Sequence, residues 1–135
     1  MRTLPLQIRF NDVDLMGHVN NAVILEYFDL GKSEYLTALG LPPELGDFTV
    51  MVVHLEVDFT NQIRFRDSIS VQTAVKRIGN KSLEVFQQVL KDDGTVCATC
   101  KTIMAGYCRS MGASAPITEQ LRSAIAKEEG NALKV

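Results

Sequence analysis

The sequence predicts an α+β domain in which one strand and one long helix precede four antiparallel strands. Three observations lead to this prediction: helical spacing of apolar residues at 22–39, strand-like alternation in the segments after it, and no repeat, linker or low-complexity stretch. The chain has 135 residues, of which 46% are hydrophobic and 22% charged, as in an ordinary soluble domain. We therefore expect a single domain over residues 1–135, with its core at about 4–108 and a short helix and tail at 116–135.

The first strand and the ends of the helix follow from residue patterns. Leu, Ile and Phe alternate with polar residues at 4–10, which is typical of a strand. After a loop at 11–19, Asn20 or Asn21 is suited to cap the helix at 22–39. Gly40 and then Pro42-Pro43 are expected to end it.

The helix itself combines an apolar stripe with a polar remainder. Its polar residues, which the pattern leaves on the rest of the helix surface, are Glu26, Asp29, Lys32, Ser33 and Thr37. Gly31 inside the helix costs about 1 kcal/mol relative to alanine. Close approach of another backbone would compensate for this cost, which suggests a helix wrapped by a sheet.

The remaining strands are expected at 48–61, 68–78, 82–90 and 95–107. Turns at Gly79-Asn80 and at Asp92-Asp93-Gly94 connect the last three of them. From Pro116 the spacing predicts a short amphipathic helix. One long helix covers a single face of such a sheet, so the sheet edges and the other face need a partner. We therefore expect a homo-oligomer.

Charge and cysteine content exclude several functional classes. The net charge of −2 does not favour nucleic acid, and no run approaches the roughly 20 apolar residues of a membrane span. Three cysteines give no disulfide framework, and Cys97 and Cys100 on a strand would face opposite sides, so no metal site is expected. No secretory signal is evident, and we expect a cytoplasmic protein. A locally basic stretch at 64–81 suits a phosphate-bearing small ligand.

The segment between Phe10 and Asp29 carries most of the functional information. It places Asp12 and Asp14 one short loop before a capped helix start, so that a carboxylate lies beside unpaired backbone N–H donors. Carbonyl chemistry requires such a pairing of an attacking group with an oxyanion donor. The backbone N–H of Asn21 would face whatever Asp14 attacks.

Each residue of this segment also has a structural interpretation, and the sequence leaves both open. Asp14 either forms an Asx-turn or acts as nucleophile or base. Gly17 is a turn residue or gives a substrate carbonyl room to approach the backbone. His18 is an acid or base, or a hydrogen-bonded scaffold element. Asp12 is interpreted as a structural partner. Metal-ligand spacings, serine-hydrolase motifs and nucleotide-binding glycine patterns are absent from the sequence.

Several motifs resemble the hotdog-fold acyl-CoA thioesterases of the 4-hydroxybenzoyl-CoA thioesterase type, over about residues 5–108. They are Arg9-Phe10-Asn11-Asp12-Val13-Asp14, Gly17-His18-Val19-Asn20-Asn21, Tyr27-Phe28-Asp29, Val57-Asp58-Phe59 and Arg77-Ile78-Gly79-Asn80-Lys81-Ser82. The resemblance implies a long central helix wrapped by a five-stranded antiparallel sheet. It also implies that Asp14 is the catalytic carboxylate and that the Asn21 N–H polarises the thioester carbonyl.

The same resemblance implies a CoA site. Asn80, Lys81 and Ser82 correspond to the place where the family meets the CoA nucleotide and its phosphates, often from the neighbouring subunit. Because Asn80 stands where many relatives carry arginine, the phosphate charge is expected to be met by Lys81, Arg77 or Arg64.

Two further positions concern the acyl group. Asp29 matches a helix position that touches the acyl group in the aromatic-specific members of the family. Asn61 stands where relatives often have proline, beside the acyl pocket.

The sequence thus predicts an acyl-CoA thioesterase that uses Asp14 as nucleophile or general base. No metal or redox cofactor is required, since CoA is part of the substrate. We expect a dimer or a dimer of dimers, such as a homotetramer, with active sites at the subunit interface. The acyl group, and the choice between CoA and acyl-carrier-protein thioesters, stay open.

Two alternative functions compete with this one. A hotdog protein that binds acyl-CoA or an acyl carrier protein without cleavage has no need of the carboxylate of Asp14. A hotdog dehydratase would require an Asp-x-Asn-Pro-x-His motif or a His–Glu pair, and neither is present.

Overall fold

The computed structural model describes residues 1–41 and 46–133, so the predicted helix stop at Pro42-Pro43 lies outside the described residues. The elements are β1 (Arg2–Leu6), α1 (Asn21–Ala38), β2 (Phe48–Phe59), β3 (Ile69–Ile78), β4 (Ser82–Lys91), β5 (Val96–Cys108), β6 (Ala113–Ser114) and α2 (Glu119–Glu129), with short 3-10 turns at Phe10–Asp12 and Gly130–Ala132. The strands form one antiparallel sheet in the order β1-β3-β4-β5-β2, and β6 pairs with β5. The predicted order of strand, helix and four strands is confirmed.

The first strand is shorter than the alternation at 4–10 predicts. It ends at Leu6, and Phe10–Asp12 forms a 3-10 turn instead. The Asp12 backbone N–H donates to the Arg9 carbonyl at 2.9 Å, which turns the chain away from the sheet.

Helix α1 packs over β1, β3 and β4, and its buried aromatic residues are Tyr27, Phe28 and Tyr35. The sheet does approach the helix closely at Gly31, as predicted, but the prediction that a backbone makes this approach is wrong. A Cβ there would lie 2.8 Å from both Gln87 Nε2 and Thr73 Oγ1, so side chains of β4 and β3, and not another backbone, occupy the space. Gln87 Nε2 donates to the Phe28 carbonyl at 2.8 Å, which ties the sheet to the helix.

Strand β2 is an edge strand with a bulge that the sequence pattern did not indicate. Val52 pairs with Met104 whereas His54 pairs with Ile103, so Val53 is the extra residue. The bulge shifts the alternation, and Val52 and Leu55 therefore face the helix side together. Residues along this strand stay exposed on both faces; its exposed apolar members are Met51, Val52, Val53, Leu55 and Phe59.

Helix α2 closes the far end of the core. It begins at Glu119, three residues after Pro116, because the Thr118 side chain accepts a hydrogen bond from the Leu121 backbone N–H at 3.2 Å. Leu121 and Ile125 are buried, and Ile125 is fully enclosed. No helix in residues 1–41 and 46–133 is long and apolar enough to cross a membrane.

Candidate active site

The loop before α1 is anchored by the buried carboxylate of Asp12, which is 1% exposed. It accepts hydrogen bonds from the Arg9 backbone N–H at 2.9 Å, the Arg9 Nε at 3.1 Å and the Tyr27 hydroxyl at 2.7 Å. Burial alone would raise the pKa of Asp12, but these hydrogen bonds and the charge of Arg9 outweigh it and hold the pKa below its usual value. The Asp12 carbonyl accepts from the Asn20 backbone N–H at 2.8 Å. Asp12 therefore joins both ends of the loop, which agrees with its interpretation as a structural partner.

The loop between Asp12 and the helix is closed on itself. Val13 and Val19 form an antiparallel bridge, and the Asp14 backbone N–H donates to the His18 carbonyl at 2.9 Å. Gly17 has a φ of 81°, and its N–H donates to the Asp14 carbonyl at 3.1 Å. This turn needs a left-handed residue, which accounts for the glycine.

The side chain of Asp14 is exposed and uses one of its two oxygens to hold this loop. Oδ1 accepts from the Met16 N–H at 2.9 Å and from the His18 N–H at 3.3 Å, as in an Asx-turn. Oδ2 has no hydrogen-bond partner in the described part of the chain. The structural and chemical interpretations of Asp14 are thus compatible, because they involve different oxygens.

At the start of α1, one backbone donor has no acceptor among the residues that the structure describes. The side chain of Asn20 caps the helix and accepts from the Ala22 N–H at 2.8 Å, which confirms Asn20 as the cap. The Asn20 carbonyl accepts from the Val23 and Ile24 N–H groups at 2.9 and 3.1 Å. Within residues 1–41 and 46–133, the Asn21 N–H has no acceptor. It is therefore free to bind a ligand oxygen at the positive end of the helix dipole.

A polar cavity of about 370 Å³ brings these groups together. Its lining residues are Asp14, His18, Val19, Asn20, Asn21, Ile24, Phe59, Thr60, Asn61, Gln62 and Ile63. Asp14, His18 and Asn21 therefore share one cavity, and Gly17 does not line it. The arrangement places a carboxylate and a free N–H donor around a space large enough for a small reacting group.

Sequence reasoning missed the cavity wall that follows β2. The side chains of Thr60 and Asn61 both donate to the Val96 carbonyl, at 2.9 and 2.8 Å, and so fix this turn against β5. In this region the resemblance to the hotdog thioesterases draws attention to Asn61 alone, as a position beside the expected acyl pocket.

The turn at Asn80, Lys81 and Ser82 lies at the other end of the sheet. Ser82 pairs with Ala105, whereas the cavity residue Phe59 pairs with Ala98 on the same strand. Seven residues of an antiparallel strand span about 23 Å. The turn and the Asp14 cavity are therefore well separated within one chain.

The three remaining predicted residues, Arg77, Arg64 and Asp29, lie in three different parts of the structure. Arg77 lies opposite Glu84 in the β3–β4 strand register, near the Asn80 turn. Arg64 forms an isolated backbone β-bridge with His18, beside the cavity. Asp29 lies on α1 beyond Asn21, and its carboxylate is 3.2 Å from Lys32 Nζ. Within residues 1–41 and 46–133, no group of three or more His, Cys, Asp or Glu residues could hold a metal ion.

Comparison with known proteins gives consistent matches over nearly the whole chain. A family model described as the thioesterase-like superfamily matches residues 8–125. A thioesterase from Thermus thermophilus, crystallised with coenzyme A and zinc, is 30% identical, with 96% of this chain and 94% of that chain covered and a TM-score of 0.83. The PA5185 protein of Pseudomonas aeruginosa strain PAO1 is 26% identical, with coverages of 94% and 90% and a TM-score of 0.86. A 1,4-dihydroxy-2-naphthoyl-CoA thioesterase from Synechocystis, at 19% identity, coverages of 92% and 94% and a TM-score of 0.83, has the same fold.

Proposed function

This chain belongs to the thioesterase-like superfamily and is a thioester hydrolase, and we propose that Asp14 and the Asn21 N–H form the site at which it cleaves an acyl-CoA to free acid and CoA. The observation that carries the proposal is the pairing of two groups in one cavity. Asp14 Oδ2 and the Asn21 N–H both lack a partner in the described part of the chain, and both residues line the same 370 Å³ space.

The reaction follows from what these two groups can do. The thioester carbonyl oxygen accepts a hydrogen bond from the Asn21 N–H, and negative charge developing on it is stabilised at the helix N-terminus. Such a donor typically contributes about 3–4 kcal/mol to transition-state stabilisation. Asp14 Oδ2 either attacks the carbonyl carbon, which releases the CoA thiolate and leaves a mixed anhydride for hydrolysis, or removes a proton from an attacking water. The Met16 and His18 N–H groups hold Oδ1 and so orient Oδ2.

Replacing Asp14 with Asn tests this assignment. Asparagine keeps an Oδ1 acceptor for the loop but has no carboxylate, so we expect release of thiol from acyl-CoA substrates to fall by about 100-fold or more. Asp93→Asn is the matched control, because Asp93 Oδ1 also accepts a backbone N–H, that of Thr95 at 2.9 Å, in a distant turn.

The measurement is thiol release from a panel of acyl-CoA thioesters. Unchanged release by Asp14→Asn on every accepted thioester would show that Asp14 is not the catalytic group. Binding without release by the wild type on every panel member would favour the non-catalytic acyl-CoA-binding alternative.

The active site is further proposed to lie between subunits of a homo-oligomer. The free edge and exposed apolar residues of β2 support pairing with β2 of a second copy, which would join the two sheets into one continuous sheet with the α1 helix of each copy packed on it. Antiparallel pairing about a two-fold axis places the Met51 end of one strand beside the Phe59 end of the other. The Asn80, Lys81 and Ser82 turn of one copy then approaches the Asp14 cavity of its partner, where it would meet the CoA phosphates. A dimer and a dimer of dimers are both compatible with this pairing.

A further inference from the structure

A second concavity lies farther along α1 and β2, and it shares no lining residue with the Asp14 cavity. It has a volume of about 350 Å³, and its lining residues include Asp29, Lys32 and Ser33 of α1, Val50 and Val52 of β2, and Met104 of β5. We call it the α1–β2 groove. The same two elements wall the Asp14 cavity, with Asn21 and Ile24 on α1 and Phe59 on β2. The groove therefore lies along the same helix, in the direction that an acyl group with its carbonyl bound at Asn21 would follow.

One residue of this groove does not fit the amphipathic pattern of the helix. Lys32, which the pattern places on the polar surface, has a side chain that is only 7% exposed. Its partner in the described part of the chain is Asp29, with Nζ and Oδ1 3.2 Å apart. An ammonium group has three N–H donors, so two of them lack a partner there.

The two members of this ion pair are unequally buried. The Asp29 side chain is 74% exposed, against 7% for Lys32. Water screens the carboxylate, whereas the ammonium acts inside an apolar groove, where a charge interacts more strongly with a ligand. Because an exposed carboxylate gains little from an ion pair, Asp29 can release Lys32 to another acceptor.

The geometry points to Lys32 as a specificity-determining residue that binds a carboxylate on the distal part of the acyl group. Long helical side chains lean toward the helix N-terminus, so Nζ lies near the level of Asp29. Asp29 follows Asn21 by eight residues, or about 12 Å along the helix. The substrate class is thus an acyl-CoA with a carboxylate about that far from its thioester carbonyl. The inference rests on the proposed function, because it places the carbonyl at Asn21.

Ligand binding to a variant that does not turn over tests this inference independently of hydrolysis. In the full-length Asp14→Asn protein, titration calorimetry compares ω-carboxyacyl-CoA thioesters of increasing length with unsubstituted acyl-CoA thioesters of the same length. We expect the carboxylate to improve affinity by about tenfold at the matching length, the size expected of a hydrogen bond to a charged group. Lys32→Met should abolish this preference, and Asp29→Asn should increase it.

Lys32→Met and Asp29→Asn are expected to change the carboxylate preference in opposite directions. If the ion pair had only a structural role, both substitutions would impair binding in the same way. Lys101→Met is the matched control, because Lys101 pairs with Glu84 at 3.6 Å and does not line the groove. An unchanged preference in Lys32→Met, or a reduced one in the surface variant Asp29→Asn, would overturn the inference. Equal affinity for both thioester series in the Asp14→Asn protein would overturn it as well. Failure of the proposed function is distinct, since it would appear as absence of thiol release by the wild type.

Discussion

The Tyr27 hydroxyl illustrates how a single hydrogen bond supports the site without touching it. It donates to Asp12 Oδ2 at 2.7 Å, and Asp12 in turn joins both ends of the loop that carries Asp14. Burial, together with this hydrogen bond and the charge of Asp12, raises the pKa of Tyr27 far above its usual value, so the hydroxyl stays protonated and continues to donate. Tyr27 is therefore a positioning residue for Asp14.

Tyr27→Phe is expected to lower kcat by about tenfold and to leave KM nearly unchanged, because one hydrogen bond to a charged group is lost from the loop anchor. Tyr35→Phe is a closely matched control. Tyr35 is also buried on α1, and its hydroxyl donates to the Glu129 carboxylate at 2.5 Å, far from the cavity. Both variants should lose about 1–3 kcal/mol of unfolding free energy in urea titrations. Equal kcat values for the two variants would show that Tyr27 only stabilises the fold.

At the scale of the elements, Gly31 shows how closely α1 lies on the sheet. Alanine there would gain about 1 kcal/mol of helix propensity. Its Cβ, however, would lie 2.8 Å from Gln87 Nε2, which cannot easily move because it is bound to the Phe28 carbonyl and to Thr73 Oγ1. We expect Gly31→Ala to destabilise the protein by about 1–3 kcal/mol in urea unfolding, as overpacking usually does. Thr37→Ala, at an exposed position of the same helix, should not destabilise it, and equal stability of the two variants would argue against close packing at Gly31.

The elements also show what could be predicted from the sequence. The order of strand, helix and strands follows from local periodicity, and Asp14 and Asn21 meet because one short loop joins them. The burial of Lys32 depends on how α1 packs against the sheet, and the bulge at Val53 depends on how β2 pairs with β5. No local sequence pattern therefore indicates either feature. No local pattern indicates that residues 60–62 form a wall of the cavity either, since they are some 40 positions away in sequence from Asp14 and Asn21.

At the scale of the whole molecule, the chain contains the proposed catalytic and CoA-binding groups at opposite ends of one sheet. The Asp14 cavity lies near the Phe59 end of β2, and the Lys81 turn lies near the Met51 end. We propose that a substrate that uses both groups contacts two copies of the chain. Pairing of the exposed β2 edges would provide this contact and would also cover apolar surface that water would otherwise meet.

Mixed oligomers of two defective variants test this sharing directly. Asp14→Asn removes the catalytic carboxylate, and Lys81→Met should raise KM for acyl-CoA several-fold by removing a phosphate contact. If the site is shared, a mixed dimer has one site with both groups intact and one with neither, so its kcat/KM should be about half that of the wild-type dimer. Co-expression with two affinity tags isolates the mixed species, and thiol release at low substrate concentration gives its kcat/KM. If both groups act from the same chain, the mixed dimer would instead show no more than half the low activity of Lys81→Met alone.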